Sequence, residues 1–300
     1  MTSAFRAVAA ALVALASVVW ARDAGACAAC GCGDPTLTAM GSEKPFGGRL
    51  RAALDFRYRE DSVGEKGVDQ IRIDERRVDA QVAWAPVSRV FLLLTVPTLH
   101  RNVRYVNERR ETTFSLGDVE LRSKFFVYED RAFAPRHLIA FTVGAKLPTA
   151  PRRRDATGTL VPVEVQPGTG SLDPLVGFSY AWFKKPWSLY VSLQGTMPGI
   201  GPSDHRAPPS LRSTVALQYQ FVQAFALRGG IDGRFDGKAR ENGAVDRDSG
   251  GAVGYGTLEA LVTPVEDLVV IGSARVPVVQ ALQGFHHEGP VFGVAVAYDF

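Results

Sequence analysis

From Gly48 onward the chain's character repeats at every second residue, stretch after stretch, and few folds accept that pattern for so long. The last stretch shows it without a break. Phe292, Val294, Val296, Tyr298 and Phe300 share one face, and Val291, Gly293, Ala295, Ala297 and Asp299 share the other. A period of two marks a β-strand, whose successive side chains point to opposite sides. One face is large and apolar, with aromatics towards its ends. The other is small and holds a single charge. A soluble sandwich strand fits the alternation, but a final phenylalanine is better placed at the edge of a bilayer than in water.

The same alternation recurs upstream. Leu50, Ala52, Leu54, Phe56 and Tyr58 oppose Arg49, Arg51, Ala53, Asp55, Arg57 and Arg59. Val78, Ala80, Val82 and Trp84 oppose Arg77, Asp79, Gln81 and Ala83. Leu121, Ser123, Phe125 and Val127 oppose Glu120, Arg122, Lys124 and Phe126. Leu211, Ser213, Val215, Leu217 and Tyr219 oppose Arg212, Thr214, Ala216, Gln218 and Gln220; Phe225, Leu227, Ile231 and Phe235 oppose Arg228, Asp232 and Arg234. A soluble barrel turns its apolar side inward. Charges recurring opposite the large apolar residues instead predict lipid outside and a polar lumen inside. The expected lumen-lining residues are Arg51, Asp55, Arg57, Glu75, Arg77, Asp79, Glu120, Arg122, Lys124, Arg212, Arg228, Asp232, Glu259 and Arg275.

The connections alternate in length. Ala85–Ser88, Lys184–Pro186, Gln220–Gln223 and Thr263–Asp267 are short, and Glu129–Arg136 is compact. Between them lie long polar segments: Glu60–Gln70, Arg101–Thr112, Thr149–Thr169, Pro198–Ser210, Asp236–Gly251 and Pro277–Gly289. Short turns on one side and long loops on the other are the asymmetry of outer-membrane barrels. The expected fold is all-β: an antiparallel up-and-down transmembrane β-barrel of about twelve strands, with both ends of the chain on the short-turn, periplasmic side. It forms one domain over residues 48–300, since composition does not shift along it. The closing segment also resembles the final strand of bacterial outer-membrane barrels, which typically ends on an aromatic residue. That resemblance implies reading by the barrel insertion machinery.

Composition agrees. Apolar residues make up 46% and charged residues 22%, and the formal charge is +3, too mild to argue for a nucleic-acid partner. No internal apolar run is long enough for a transmembrane helix. A chain that crosses lipid without helices must close into a barrel, because lipid cannot satisfy open sheet edges.

The start reads as an export signal over residues 1–26. Arg6 supplies the positive region, Ala7 to Ala21 the apolar run, and Ala24-Gly25-Ala26 the cleavage site. Cleavage after Ala21 and a lipidated Cys27 are the alternatives. Residues 27–47 then hold all 3 cysteines, in Cys27-Ala28-Ala29-Cys30-Gly31-Cys32. An exported chain favours a disulfide with one thiol left over. The competing reading is a thiolate site for a soft metal such as Cu(I). Haem attachment fails because Gly31 stands where histidine is needed.

Three stretches carry a family resemblance: Ser115-Leu116-Gly117-Asp118-Val119-Glu120-Leu121, Lys146-Leu147-Pro148-Thr149, and Gln166-Pro167-Gly168-Thr169-Gly170-Ser171-Leu172-Asp173. Their order and spacing resemble the outer-membrane transporter family first associated with the meta-cleavage pathway of phenol degradation. The family commonly has glycine after Leu-Pro-Thr, where this chain has Ala150. In purely physical terms these are turn residues that relieve backbone strain at strand ends.

Catalytic chemistry is not legible. His205, His286 and His287 fall in expected loops, His137 leads a strand, and no histidine shares a register with Ser123 or Ser192 as a triad requires. Gly168-Thr169-Gly170 lacks the ending of a phosphate loop. Arg152-Arg153-Arg154 reads as a solvated loop facing anionic lipid, or as a capture point for anions. The expectation is a non-enzymatic channel for a small solute in the bacterial outer membrane, weakly anion-preferring and without a cofactor. The alternative is a non-conducting barrel whose working part is the cysteine segment, with redox or copper chemistry.

Overall fold

A computed structural model describes residues 47–300, apart from 69, 108–109, 133, 155–157 and 159–165. The export signal and the cysteine segment therefore lie outside the described residues. The strands are β1 (Leu50–Val63), β2 (Ile71–Val87), β3 (Val90–Arg104), β4 (Arg110–Leu116), β5 (Glu120–Glu129), β6 (His137–Lys146), β7 (Asp173–Lys184) and β8 (Trp187–Thr196). After the two-residue β9 (His205–Arg206) come β10 (Ser210–Val222) and β11 (Phe225–Asp236). The short β12 (Arg240–Glu241) and β13 (Ala244–Val245) precede β14 (Gly251–Val265), β15 (Leu268–Leu282) and β16 (His287–Asp299).

Each long strand pairs antiparallel with its neighbour in sequence, and β1 pairs with β16 to close the ring. β4 and β5 succeed one another along the same flank of β3, so the wall has twelve positions. The seam is reinforced where the chain ends meet. The Phe300 N–H donates to the Leu50 carbonyl at 2.8 Å, and the Asp299 carboxylate accepts Arg49 Nε at 3.0 Å and Arg51 Nε at 2.6 Å. Closure leaves no run of unpaired backbone groups at this seam, which is what a bilayer demands. Small β9, β12 and β13 form a separate three-stranded sheet in the loops.

The outer surface is apolar. Leu54, Phe56, Val82, Val143, Val176, Leu193, Val215, Leu217, Leu258, Phe292 and Val294 all point outward and are exposed. Aromatics gather at the short-turn end. Trp187 packs edge-on to Tyr219 at 4.7 Å, Tyr219 to Phe221 at 4.7 Å, and Tyr298 to Phe300 at 4.9 Å. An apolar band with an aromatic girdle is the exterior of a lipid-embedded barrel.

Two features depart from the expected pattern. Several long connections are partly strand: β3 and β4 remain paired out to Arg104 and Arg110, and β15 runs to Leu282 before β16 resumes at His287. The sheet therefore rises above the apolar band, and polar residues that read as loop are hairpin. The lumen is also not polar throughout. Its short-turn half is lined by Ala53, Ala83, Phe91, Leu93, Phe126, Leu138, Tyr190, Leu261 and Ile271, which pack into one buried cluster.

Among the described residues the wall is interrupted at residues 117–119, between β4 and β5. Pro97 on the facing β3 has no N–H to give the ladder there. Its carbonyl still accepts the Gly117 N–H at 2.8 Å, while the Val119 N–H turns aside to the Thr149 hydroxyl at 2.8 Å. Beyond the break β4 stands at the end of the strand order, since β6 pairs with β5 and not with β4.

Candidate functional site

The inward faces of the long strands converge on the lumen, and its loop-side half is charged. On β1 and β2, Asp55 lies opposite Asp79 and Arg57 opposite Arg77. Neither like-charge pair faces its partner alone. Asp79 accepts both Arg57 and Arg77, the latter at 2.6 Å, and Asp55 lies 3.5 Å from Arg57. Glu75 accepts Arg59 at 3.1 Å and Arg101 Nε at 2.9 Å. Glu288 takes the Arg234 guanidinium and the Tyr255 hydroxyl. Arg275 sits 3.7 Å from Asp232, and Glu120 pairs with Arg122.

These groups surround a cavity of about 1000 Å³, lined by Arg57, Arg59, Glu75, Arg77, Arg212, Ser213, Thr214, Asp232, Arg234, Tyr255, Arg275 and Glu288. Most of the paired carboxylates are buried at the wall, whereas Arg57, Arg59 and Arg77 keep a quarter to a third of their side-chain surface open. The face presented to a solute is therefore mostly guanidinium. A low-dielectric wall focuses such a field and raises the local concentration of anions.

A second cavity of about 850 Å³ lies against the wall break, between Arg77, Arg101, Glu120, Lys146 and the segment 166–169. Here the three stretches that carry the family resemblance meet. The Asp118 carboxylate accepts the N–H of Ala150 at 3.1 Å and of Thr169 at 2.8 Å. Lys146 reaches Asp173 at 2.7 Å, and Asp173 also accepts the hydroxyls of Ser171 at 2.5 Å and Thr169 at 2.8 Å. Gly168 is required by this packing, because a Cβ there would sit 2.4 Å from the Asp118 carboxylate.

Below the charged half lies the apolar cluster, and embedded in it the pair Arg228–Glu259. The two are register partners on β11 and β14, both almost fully buried, with Arg228 Nε 2.5 Å from the Glu259 carboxylate. The Arg228 guanidinium lies 5.8 Å over the Tyr190 ring. Lys124 is buried over Phe126 at 5.5 Å.

The structure thus places the fourteen expected residues at several levels. Arg57, Glu75, Arg77, Arg212, Asp232 and Arg275 share the large cavity, with Asp55 and Asp79 behind them. Glu120 borders the second cavity with Arg122 beside it. Lys124, Arg228 and Glu259 are packed in the short-turn half, and Arg51 belongs to the seam. Sequence reasoning omitted Arg59, Arg101, Arg234, Tyr255 and Glu288 from this set. Arg59 and Arg234 carried the right parity. Glu288 did not, because it read as loop and because a bulge changes the register. Asp61 pairs with Glu288 but Arg59 pairs with Val291, so one more residue is spent on β16 than the simple alternation allows, and the parity flips.

The histidines are peripheral. His137 Nδ1 lies 2.8 Å from the Tyr180 hydroxyl, and His286 is 3.9 Å from Glu288. Among the described residues no group of three His, Cys, Asp or Glu side chains is arranged to hold a metal.

No family model and no curated protein matches the chain. Among solved structures, the chain is similar to an outer membrane channel from Pseudomonas putida F1, with a TM-score of 0.68 and 13% identity over 89% of this chain and 100% of that one. Looser likenesses include the translocator domain of the autotransporter NalP from Neisseria meningitidis, with a TM-score of 0.49 and 11% identity over 85% of this chain and 89% of that one. The P. putida toluene transporter TodX gives 0.46 and 8% over 85% and 90%. At these identities the likeness is one of fold, the fold of outer-membrane β-barrels.

Proposed function

We propose that the barrel is an outer-membrane channel that passes small solutes through its lumen and prefers anions. The observation that carries this reading is the guanidinium-lined cavity of about 1000 Å³ in the loop-side half. A wall of arginines stabilises no fold by itself. Held open in a low-dielectric tube, it attracts negative charge. The similar P. putida structure is that of an outer membrane channel, which supports the same class. The three motifs at Asp118, Lys146 and Asp173 add the resemblance to transporters associated with meta-cleavage of phenol. That resemblance supports a channel more than any one substrate. In this reading the loops face outward, the short turns face the periplasm, and the insertion machinery assembles the barrel.

The test is reconstitution into a planar bilayer under a potassium chloride gradient. The expected reversal potential is displaced towards the chloride equilibrium. A reversal on the potassium side sinks the anion preference. Absence of conductance together with absence of liposome swelling sinks the channel.

A further inference from the structure

The outward face of β2, β3 and β4 changes character where the apolar band ends. Register partners line up Tyr58, Arg76, His100 and Phe114 across β1 to β4. Phe114 is 71% exposed and marks the lipid side of this row. Four residues further towards the loops, Arg72, Arg104 and Arg110 are direct register partners on the same face. All three are exposed, as is Arg76. Neighbouring strands stand about 4.8 Å apart, so three guanidiniums leave the wall from adjacent strands.

Like charges placed directly opposite one another weaken a sheet. Here two such contacts follow in succession. The acids on this face, Glu60 and Asp74, lie on the β1–β2 flank. Between Arg104 and Arg110 and the row below stand Asn102 and Thr112, bonded to each other at 3.0 Å. Among the described residues, none of the four arginines makes an ion pair or a side-chain hydrogen bond. Elsewhere around the ring, outward positions near the loop end are apolar. Leu211 and Phe235 are register partners there on β10 and β11, and Phe292 stands on β16. The basic charge is thus gathered in one sector of the rim, directly above the lipid-facing wall.

We propose that this row is a docking surface for the phosphorylated headgroup of an outer-leaflet glycolipid. The row continues the apolar wall, so what reaches it is a lipid standing in that bilayer with its headgroup at the loop end. Anionic headgroups draw basic residues that stand just beyond an apolar band. A guanidinium meets a phosphate with paired hydrogen bonds, which an ammonium cannot do. Arg76 lies about 13 Å along β2 from Arg72. A lipid bearing two phosphates is therefore met at two levels. The assignment takes the outward direction of the loops from the channel reading, but neither conduction nor orientation enters its test.

The test is native mass spectrometry of the full barrel in a neutral detergent, titrated with bisphosphorylated lipid A. Discrete lipid adducts are expected. Arg72→Gln, Arg104→Gln and Arg110→Gln combined should weaken binding by about tenfold or more, and lysine at the same three positions by less, since charge survives and the fork does not. Arg152→Gln, Arg240→Gln and Arg247→Gln combined remove the same charge from exposed positions in the loops and should leave affinity unchanged. Heat-modifiable migration reports whether each variant is folded. Equal binding by the folded Arg72, Arg104 and Arg110 variant overturns the proposal. So does an equal loss in the loop variant, or equal binding of dephosphorylated lipid A or of phosphatidylglycerol. Displacement of lipid A by inorganic phosphate at equal concentration overturns it as well. Binding that depends on the row in a barrel that does not conduct leaves the surface standing and removes the channel. Conductance with unaltered binding in the row variant does the reverse.

Discussion

The carboxylate of Asp118 accepts the backbone N–H of Thr169 at 2.8 Å, across 51 residues of chain. It accepts Ala150 N–H as well, so one side chain in the wall break holds both ends of the segment between β6 and β7. Replacing Asp118 by alanine leaves two amides without their acceptor, a cost of about 1–3 kcal/mol. The segment should loosen while the barrel persists. Trypsin should cut at Arg152–Arg154 several-fold faster in folded protein, and Gly168→Ala should behave alike, because its Cβ displaces the same carboxylate. Unchanged cleavage in both variants would show that the network does not restrain the segment.

Arg228 and Glu259 form an ion pair with almost no solvent contact. Removing one partner strands a buried charge, which costs about 3–5 kcal/mol, whereas apolar replacement of both is close to neutral. Arg228→Met and Glu259→Met should each lower the denaturation midpoint strongly, and the double variant should recover most of the loss. Additive losses in the double variant would contradict the account.

Val215 sits mid-strand on the outer face, between Val191 and Ile231. Arginine there should cost about 2–4 kcal/mol if that face meets the bilayer interior. Unfolding measured in lipid vesicles checks this. A surface facing water would tolerate Val215→Arg with little change.

Asp130, in the turn after β5, accepts the N–H of His137 at 2.9 Å and of Arg136 at 2.7 Å. The His137 amide, then that of Arg136, holds its carboxyl below the usual carboxylate range. A lowered folded pKa means stability that is present above the ordinary aspartate value and lost as pH falls through the folded one. Asp130→Asn should therefore be less stable than the parent at pH 7, with the gap closing in acid. A gap that widens on acidification would refute that assignment of the turn.

The period-two alternation was enough to read an antiparallel barrel with lipid outside, because every span puts its large apolar residues on one parity. Leu54, Phe56, Val215 and Phe292 are exposed on the outer wall, and Asp55, Arg57 and Arg228 point inward. The alternation of short and long connections fitted about twelve strands. Loop boundaries were less legible, since polar residues above the bilayer look the same in a hairpin and in a loop.

The sequence by itself determined which side of each strand meets lipid. Burial in a bilayer selects faces residue by residue, and each choice is local. Only the tertiary structure decided which inward residues share a level in the lumen, because level depends on register, tilt and bulges around the whole ring. That is why Glu288 reaches Arg234 and Tyr255 from outside the expected alternation. It is also why three motifs far apart in the chain meet at Asp118.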